Sequence, residues 1–175
     1  MVALQRETVD SPLIPPLNFS MSAPGIYRSG YPNSMNHAFM KKLRLKTILY
    51  LCPEEYSESN TAWCRANNVQ IVQCGILPNK EPFQFIPEDV VADALRVLLD
   101  CRNHPVLMHC NSGKHRSGVV IGTLRKMQGW SLTSIFDEYR RFAGSKVRIL
   151  DQQFIELFRV ESVAYDKEHA PRWLR

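Results

Sequence analysis

The sequence predicts an α/β domain in which a central, mostly parallel sheet is flanked by helices. Three observations carry that prediction. Short β-rich runs such as KTILYL and VQIVQC alternate with segments of helical periodicity. The stretch IPEDVVADALRVLLDC repeats apolar residues at i, i+4 and i+8 through Val90, Ala94 and Leu98, with acids in its first turn. HPVLMH, short and apolar, reads as a buried strand that runs into a glycine-bearing loop and a further helix. At 175 residues, 45% of them apolar and 22% charged, the chain is long enough for one domain with a real core.

The elements follow in order. The start is polar and bears Pro12, Pro15, Pro16 and Pro24, so no element is predicted before about residue 24. GIYRSG reads as a first short strand, and YPNSMNHAFMKKLRL opens with turn residues before becoming amphipathic. KTILYL and VQIVQC (69–74) are the next strands, with a helix expected around Asn60 to Asn68 between them. The helix of IPEDVVADALRVLLDC is followed by the strand at 105–109, a loop at 110–116, and a helix from Ser117 to Met127 ended by Gly129. Two more helices are expected near 131–143 and 149–160. Residues 1–12 are set apart as an irregular N-terminal segment, 13–165 as the functional domain and 166–175 as a C-terminal tail.

Composition narrows the function. No apolar run reaches the ~18 residues of a spanning helix, and MVALQRETVDSPLIPP lacks the apolar core of a secretory signal. The five cysteines, odd in number and without paired CxxC spacing, read as reduced thiols and predict a cytoplasmic protein with possible nuclear access. Twenty-two basic residues against 17 acidic ones give a net charge of +5, a modest field that attracts anions. There is no long Lys/Arg block and no aromatic-basic RNA signature, so a nucleic-acid partner is not expected.

The chemistry concentrates in HCNSGKHRSG, residues 109–118. A loop that ends a buried strand and opens a helix presents consecutive amides at the positive end of a helix dipole, where phosphate binds. Gly113 and Gly118 let the backbone curl where a Cβ would obstruct it. Arg116 supplies a planar fork for two phosphate oxygens. Such a nest favours the thiolate of Cys110, the nucleophilic form, which would attack phosphorus and carry a cysteinyl phosphate. Ser117 is placed to donate a hydrogen bond to the departing sulfur, and His109 to orient the loop from below. Asn111, Ser112, Gly113, Lys114 and His115 line the loop as substrate-binding positions. A merely packing cysteine leaves Gly113, Arg116, Ser117 and Gly118 unexplained. Cys101, His104, His109, Cys110 and His115 have no usual zinc spacing, so no metal is predicted, and no cofactor is implied. The other four cysteines read as packing residues.

HCxxGxxR[ST]G resembles the signature loop of cysteine-dependent tyrosine and dual-specificity phosphatases, with every fixed position present. Further stretches extend the likeness: PPLNFSMSAPGIYRSGYPNSMN, ILYLCPEEY, NKEPF, IPED, SLTSIFDEYRRFA and DQQFIELF are similar to the plant and fungal atypical dual-specificity phosphatases, over roughly residues 13 to 158. The resemblance implies the cysteine-phosphatase fold and hydrolysis of the β-phosphate of inositol pyrophosphates, favouring the 5-position. Its alternatives are a protein tyrosine or dual-specificity phosphatase acting on phosphoproteins, and a phosphate-binding module without turnover. It also implies ligand contacts by Ile76, Asn79 and Lys80. Lys114 and His115 would add charge toward a dense polyanion. For the general acid, Glu88 or Asp89 is the candidate, with Glu81 as a third; both 88 and 89 also suit the first turn of a helix. Many family members carry basic residues directly after the nucleophile, where this chain has Asn111 and Ser112. Oligomeric state and regulation leave no mark in the sequence.

Overall fold

A computed structural model describes residues 12–77 and 86–174. Five strands, β1 (Ser20–Ala23), β2 (Ile26–Ser29), β3 (Thr47–Tyr50), β4 (Gln70–Gln73) and β5 (Val106–His109), form one sheet in the order β1-β2-β5-β3-β4. The β2/β5, β3/β5 and β3/β4 pairs are parallel, and β1 adds antiparallel to β2. The expected mostly parallel sheet is therefore present. β1 corrects the reading of residues up to about 24 as irregular: SMSA is short, half polar and lies on the sheet edge, so it lacks the apolar run of a central strand.

β5 is the middle strand, and all four of its residues are buried. Its C-terminal end is thus the floor of the crevice where parallel α/β sheets place their ligands. The helices are α1 (His37–Lys42), α2 (Glu58–Ala66), α3 (Glu88–Leu98), α4 (His115–Met127), α5 (Leu132–Ala143) and α6 (Ile149–Leu157). α3 buries Ala94 and Leu98 of the predicted stripe together with the flanking Val91 and Leu95, while Val90 is only half-buried. Ser57 and Ser131 cap α2 and α5 with their hydroxyls on the amides of Asn60 and Ser134. α6 ends at Leu157 rather than 160, and a separate 3-10 turn covers Val160–Ser162.

α4 is the buried helix on which the site rests, and it packs against α3, α5 and α6. Close approach is possible because Gly118 and Gly122 lie one turn apart. A Cβ at 118 would come within 2.8 Å of the Tyr139 ring, and one at 122 within 2.5 Å of Ile155. Arg125 then ties α4 to α5, its Nε 2.7 Å and Nη2 3.1 Å from the Glu138 carboxylate. The segment set apart as a tail packs on this body: Ala170 is buried, Trp173 and Leu174 lie against the core, and the Cys101 amide donates to the His169 carbonyl. No helix among the described residues is long and apolar enough to cross a membrane.

Candidate active site

α4 begins at His115, two residues before the expected start, so the connecting loop is 110–114 and Arg116 stands in the first helical turn. The scaffold holds this loop by its carbonyls. Tyr31 N donates to Asn111 O (2.9 Å), Asn18 Nδ2 to Ser112 O (2.7 Å), Arg28 Nη2 to Gly113 O (2.8 Å) and Gly118 N to Lys114 O (2.8 Å). The Asn111 amide is directed at Cys52 Sγ, while those of residues 112–116 donate to no protein acceptor among the described residues. A peptide whose C=O is tied outward turns its N–H the other way, so the loop presents a run of donors suited to an anion. Gly113 makes this possible: its φ is +68°, and a Cβ there would lie 2.6 Å from Gly30 N and from the Ser29 carbonyl carbon. Gly118 serves the packing of α4 on α5 instead of the curl of the loop, which corrects its expected role.

Cys110 sits at the bottom of this cradle, 4% exposed. Ser117 Oγ donates to its Sγ at 3.2 Å, the contact expected of it. Arg116 half-emerges from α4 and its Nη1 donates to Cys52 Sγ, which in turn reaches Asn111 Oδ1 at 3.3 Å. Burial pushes the Cys52 thiol up, so it stays protonated and serves as donor and acceptor at once. Cys52 therefore belongs to the site and is not the simple packing residue the sequence suggested. All five cysteines are free, and Cys101 is exposed.

His109 lies beneath the loop as expected. It is fully buried, its Nε2 accepts from Tyr56 Oη at 3.0 Å and its Nδ1 faces Cys110 O at 3.4 Å. Burial lowers its pKa to about 4, so the ring is neutral at pH 7 and holds geometry without moving protons. Tyr31, Tyr50 and Tyr56 pack around it with ring centroids 5.2–5.5 Å away, closing the floor on that face of the sheet. Arg28 is the residue sequence reading missed: an arginine in a short strand looks like a surface residue, yet this one is fully buried under Gly113.

The remaining candidates separate. Lys114 is the residue before α4, half-exposed, at the mouth of the loop. His115 departs from expectation: its Nε2 donates to the Lys146 carbonyl at 2.6 Å, and burial, partly offset by that bond, lowers its pKa. It anchors the 3-10 turn Gly144–Lys146 and does not add the charge expected of it. Ile76 is fully buried in the core, with its amide on Leu51 O at 3.0 Å, so its side chain packs rather than facing a ligand. Asn79, Lys80 and Glu81 lie outside the described residues. Glu88 and Asp89 are exposed in the first turn of α3, and Asp89 Oδ1 accepts from Val90 N. Neither acid bonds to the phosphate loop among the described residues. Cys101, His104, His109, Cys110 and His115 form no three-ligand grouping there either.

Comparisons with known proteins agree on the architecture and the chemistry. The chain matches the tyrosine phosphatase family over residues 13–175. It is 53% identical over 152 residues to inositol diphosphatase DSP4 of Arabidopsis thaliana, covering 87% of this chain and 77% of that one. A Dictyostelium discoideum protein named "Probable tyrosine-protein phosphatase DG1060" is 47% identical over 161 residues, covering 92% and 96%. Among solved structures, the core catalytic domain of the PP-IP phosphatase SIW14 from Saccharomyces cerevisiae, in complex with citrate, superposes with a TM-score of 0.82 at 45% identity, over 87% of this chain and 91% of that one.

Proposed function

The chain belongs to the tyrosine phosphatase family, and from that premise we propose that it hydrolyses the β-phosphate of inositol pyrophosphates of the 5-diphosphoinositol type. The observation that carries this reading is the loop itself: carbonyls tied back by Tyr31, Asn18 and Arg28, amides left inward, and a cysteine at the centre. Relatives about half identical over most of the chain are inositol diphosphatases, which supports the substrate class.

The chemistry follows from the geometry. The terminal phosphate lies on the loop amides, and the Arg116 guanidinium leaves Cys52 for its equatorial oxygens. Cys110 Sγ donates its lone pair to phosphorus as the P–O anhydride bond breaks, and the inositol phosphate leaves with that electron pair. Water then attacks the cysteinyl phosphate. Sulfur departs as thiolate, stabilised by the Ser117 hydroxyl, and inorganic phosphate is released.

A phosphoanhydride also relaxes the demand for a general acid. Its leaving phosphate has a second pKa of about 6, against about 10 for a phenol, so protonation helps a tyrosyl leaving group far more. Glu88 and Asp89, exposed at the start of α3, suit a site in which acid help is dispensable. Lys114 at the mouth adds charge for the outer phosphates of the polyanion. Free thiols throughout, with none paired, suit a reducing compartment such as the cytoplasm.

The test is a side-by-side assay. Purified protein releases phosphate from 5-diphosphoinositol pentakisphosphate faster than from a phosphotyrosyl peptide at equal concentration. The reverse order moves the assignment to the protein phosphatase that the Dictyostelium relative's name suggests. Binding of both without phosphate release makes the domain a non-catalytic phosphate reader.

A further inference from the structure

Among the described residues Arg28 is a buried charge without an ion pair, the Glu138 carboxylate acting on it only at a distance. Its side chain is fully buried, Nη2 is held by Gly113 O at 2.8 Å, and Nε and Nη1 have no hydrogen-bond partner among the described residues. The Phe142 ring of α5 closes over it, with Cζ 3.7 Å from the ring centroid. No carboxylate among the described residues forms an ion pair with it; the nearby Glu138 is held by Arg125. Burial lowers its pKa to about 10, which still leaves the guanidinium protonated at neutral pH. Keeping an unpaired cation inside a protein is destabilising by several kcal/mol, and an apolar residue would avoid that penalty.

The sheet register says what the charge faces. Arg28 is paired with Met108 across the parallel β2/β5 ladder, and neighbours in register point to the same face. Cys110 is two residues beyond Met108, on that same side, where α4 and α5 pack. His109 points to the opposite face, into the tyrosine cluster. Glu138 and, less strongly, Cys110 act on Arg28 electrostatically and favour its charged form.

We propose that Arg28 is a positioning residue whose buried positive charge supports the anionic Cys110 from the protein side of the phosphate loop, while its Nη2 fixes the turn at Gly113. Two guanidiniums then serve the loop with different duties. Arg116 is half-exposed and moves to the substrate. Arg28 is sealed beneath Phe142 and stays, so its field is present before substrate arrives and after product leaves. Low exposure keeps that field from being screened by water. The inference rests on Cys110 being the nucleophile of the proposed reaction.

The test needs no substrate, which separates it from the substrate assignment. Among the described residues the titratable or charged groups around Cys110 and Arg28 are Arg28 on β2, Cys52 after β3, His109 on β5, Lys114 and Arg116 at the start of α4, Arg125 further along α4 and Glu138 on α5; the first is varied with the others held constant. The rate of Cys110 alkylation by iodoacetamide is measured against pH in full-length protein, with Cys110→Ser as the blank for the other thiols. Arg28→Gln removes the charge while keeping a polar side chain at this position. It is expected to move the alkylation midpoint up by about one pH unit, a roughly tenfold loss of rate below that midpoint. Arg28→Lys keeps the charge and is expected to restore most of the shift. An unmoved midpoint in folded Arg28→Gln overturns the proposal, as does an equal shift in both variants. If Arg28→Gln does not fold, Phe142→Ala, which admits water to the guanidinium, replaces it. A midpoint raised toward the Gln expectation supports the role, and an unchanged one overturns it.

Discussion

Ser117 Oγ lies 3.2 Å from Cys110 Sγ, in the first turn of α4 and pointing back at the sulfur on which the phosphoryl group would be carried. A hydrogen bond to a charged acceptor contributes roughly 1.5–3 kcal/mol, so its loss slows a step that regenerates thiolate by about 10- to 150-fold. Ser117→Ala is therefore expected to lower kcat by that factor while the first phosphoryl transfer persists. Rapid-quench kinetics would then show a burst of inositol phosphate followed by slow turnover. Equal slowing of both phases would remove Ser117 from the second step.

Gly113 is the position least able to accept a side chain. Gly113→Ala places a Cβ 2.6 Å from the backbone of β2 at a φ of +68°. Strain of this kind costs about 1–3 kcal/mol, and relief requires the loop to leave β2 and its Arg28 contact. Thermal melting should fall by several degrees, and phosphate release by far more than that loss of stability explains. Wild-type activity in Gly113→Ala would mean that the loop's attachment to β2 is dispensable.

His109 ties stability to acid. Its folded pKa of about 4 lies below the 6.5 of an unfolded histidine. The unfolded chain therefore binds a proton that the folded one refuses as pH falls from about 6.5 to 4. The stabilisation is complete above that window, lost progressively through it, and amounts to about 3 kcal/mol. Urea midpoints measured at pH 7.5 and pH 5 should differ in that direction. His109→Gln should be less stable at pH 7.5 but less sensitive to acid, and the same acid sensitivity in both proteins would contradict the assignment.

Lys114 and His115, adjacent in sequence, are expected to behave differently. Lys114→Ala removes a charge at the loop mouth, and an exposed pair is worth about 0.2–1 kcal/mol. KM for diphosphoinositol should rise a few-fold, with a shallower salt dependence, while KM for a small monoester such as p-nitrophenyl phosphate stays the same. His115→Ala breaks the 2.6 Å bond to Lys146 O and should lower stability without changing the salt dependence. Identical salt profiles for Lys114→Ala and the wild type would exclude Lys114 from polyanion binding.

The phosphate loop was legible because its residue types are local: Cys110, Gly113, Arg116 and Ser117 fall within eight positions, and chemistry needs them at that spacing. The strands and helices around it were legible for the same reason, since periodicity and turns are local. What escaped depends on distant partners. Arg28 is buried because Gly113 O, 85 residues away, accepts from it and Phe142 covers it. His115 is turned aside by the Lys146 carbonyl, 31 residues on. Cys52 joins the site because β3 lies beside β5, which brings it to Arg116 and Asn111. β1 was hidden by its neighbours: four half-polar residues after a run of prolines carry no strand signal until β2 offers an edge.

Acid-quenching the wild-type protein during steady turnover of 5-diphosphoinositol pentakisphosphate, and reading its cysteine peptides by mass spectrometry, tests the mechanism at its centre. A phosphoryl adduct on the peptide bearing Cys110, absent from Cys110→Ser that still binds substrate, is the predicted result. Phosphate release with no adduct on that peptide, together with wild-type turnover in Cys110→Ser, would contradict it.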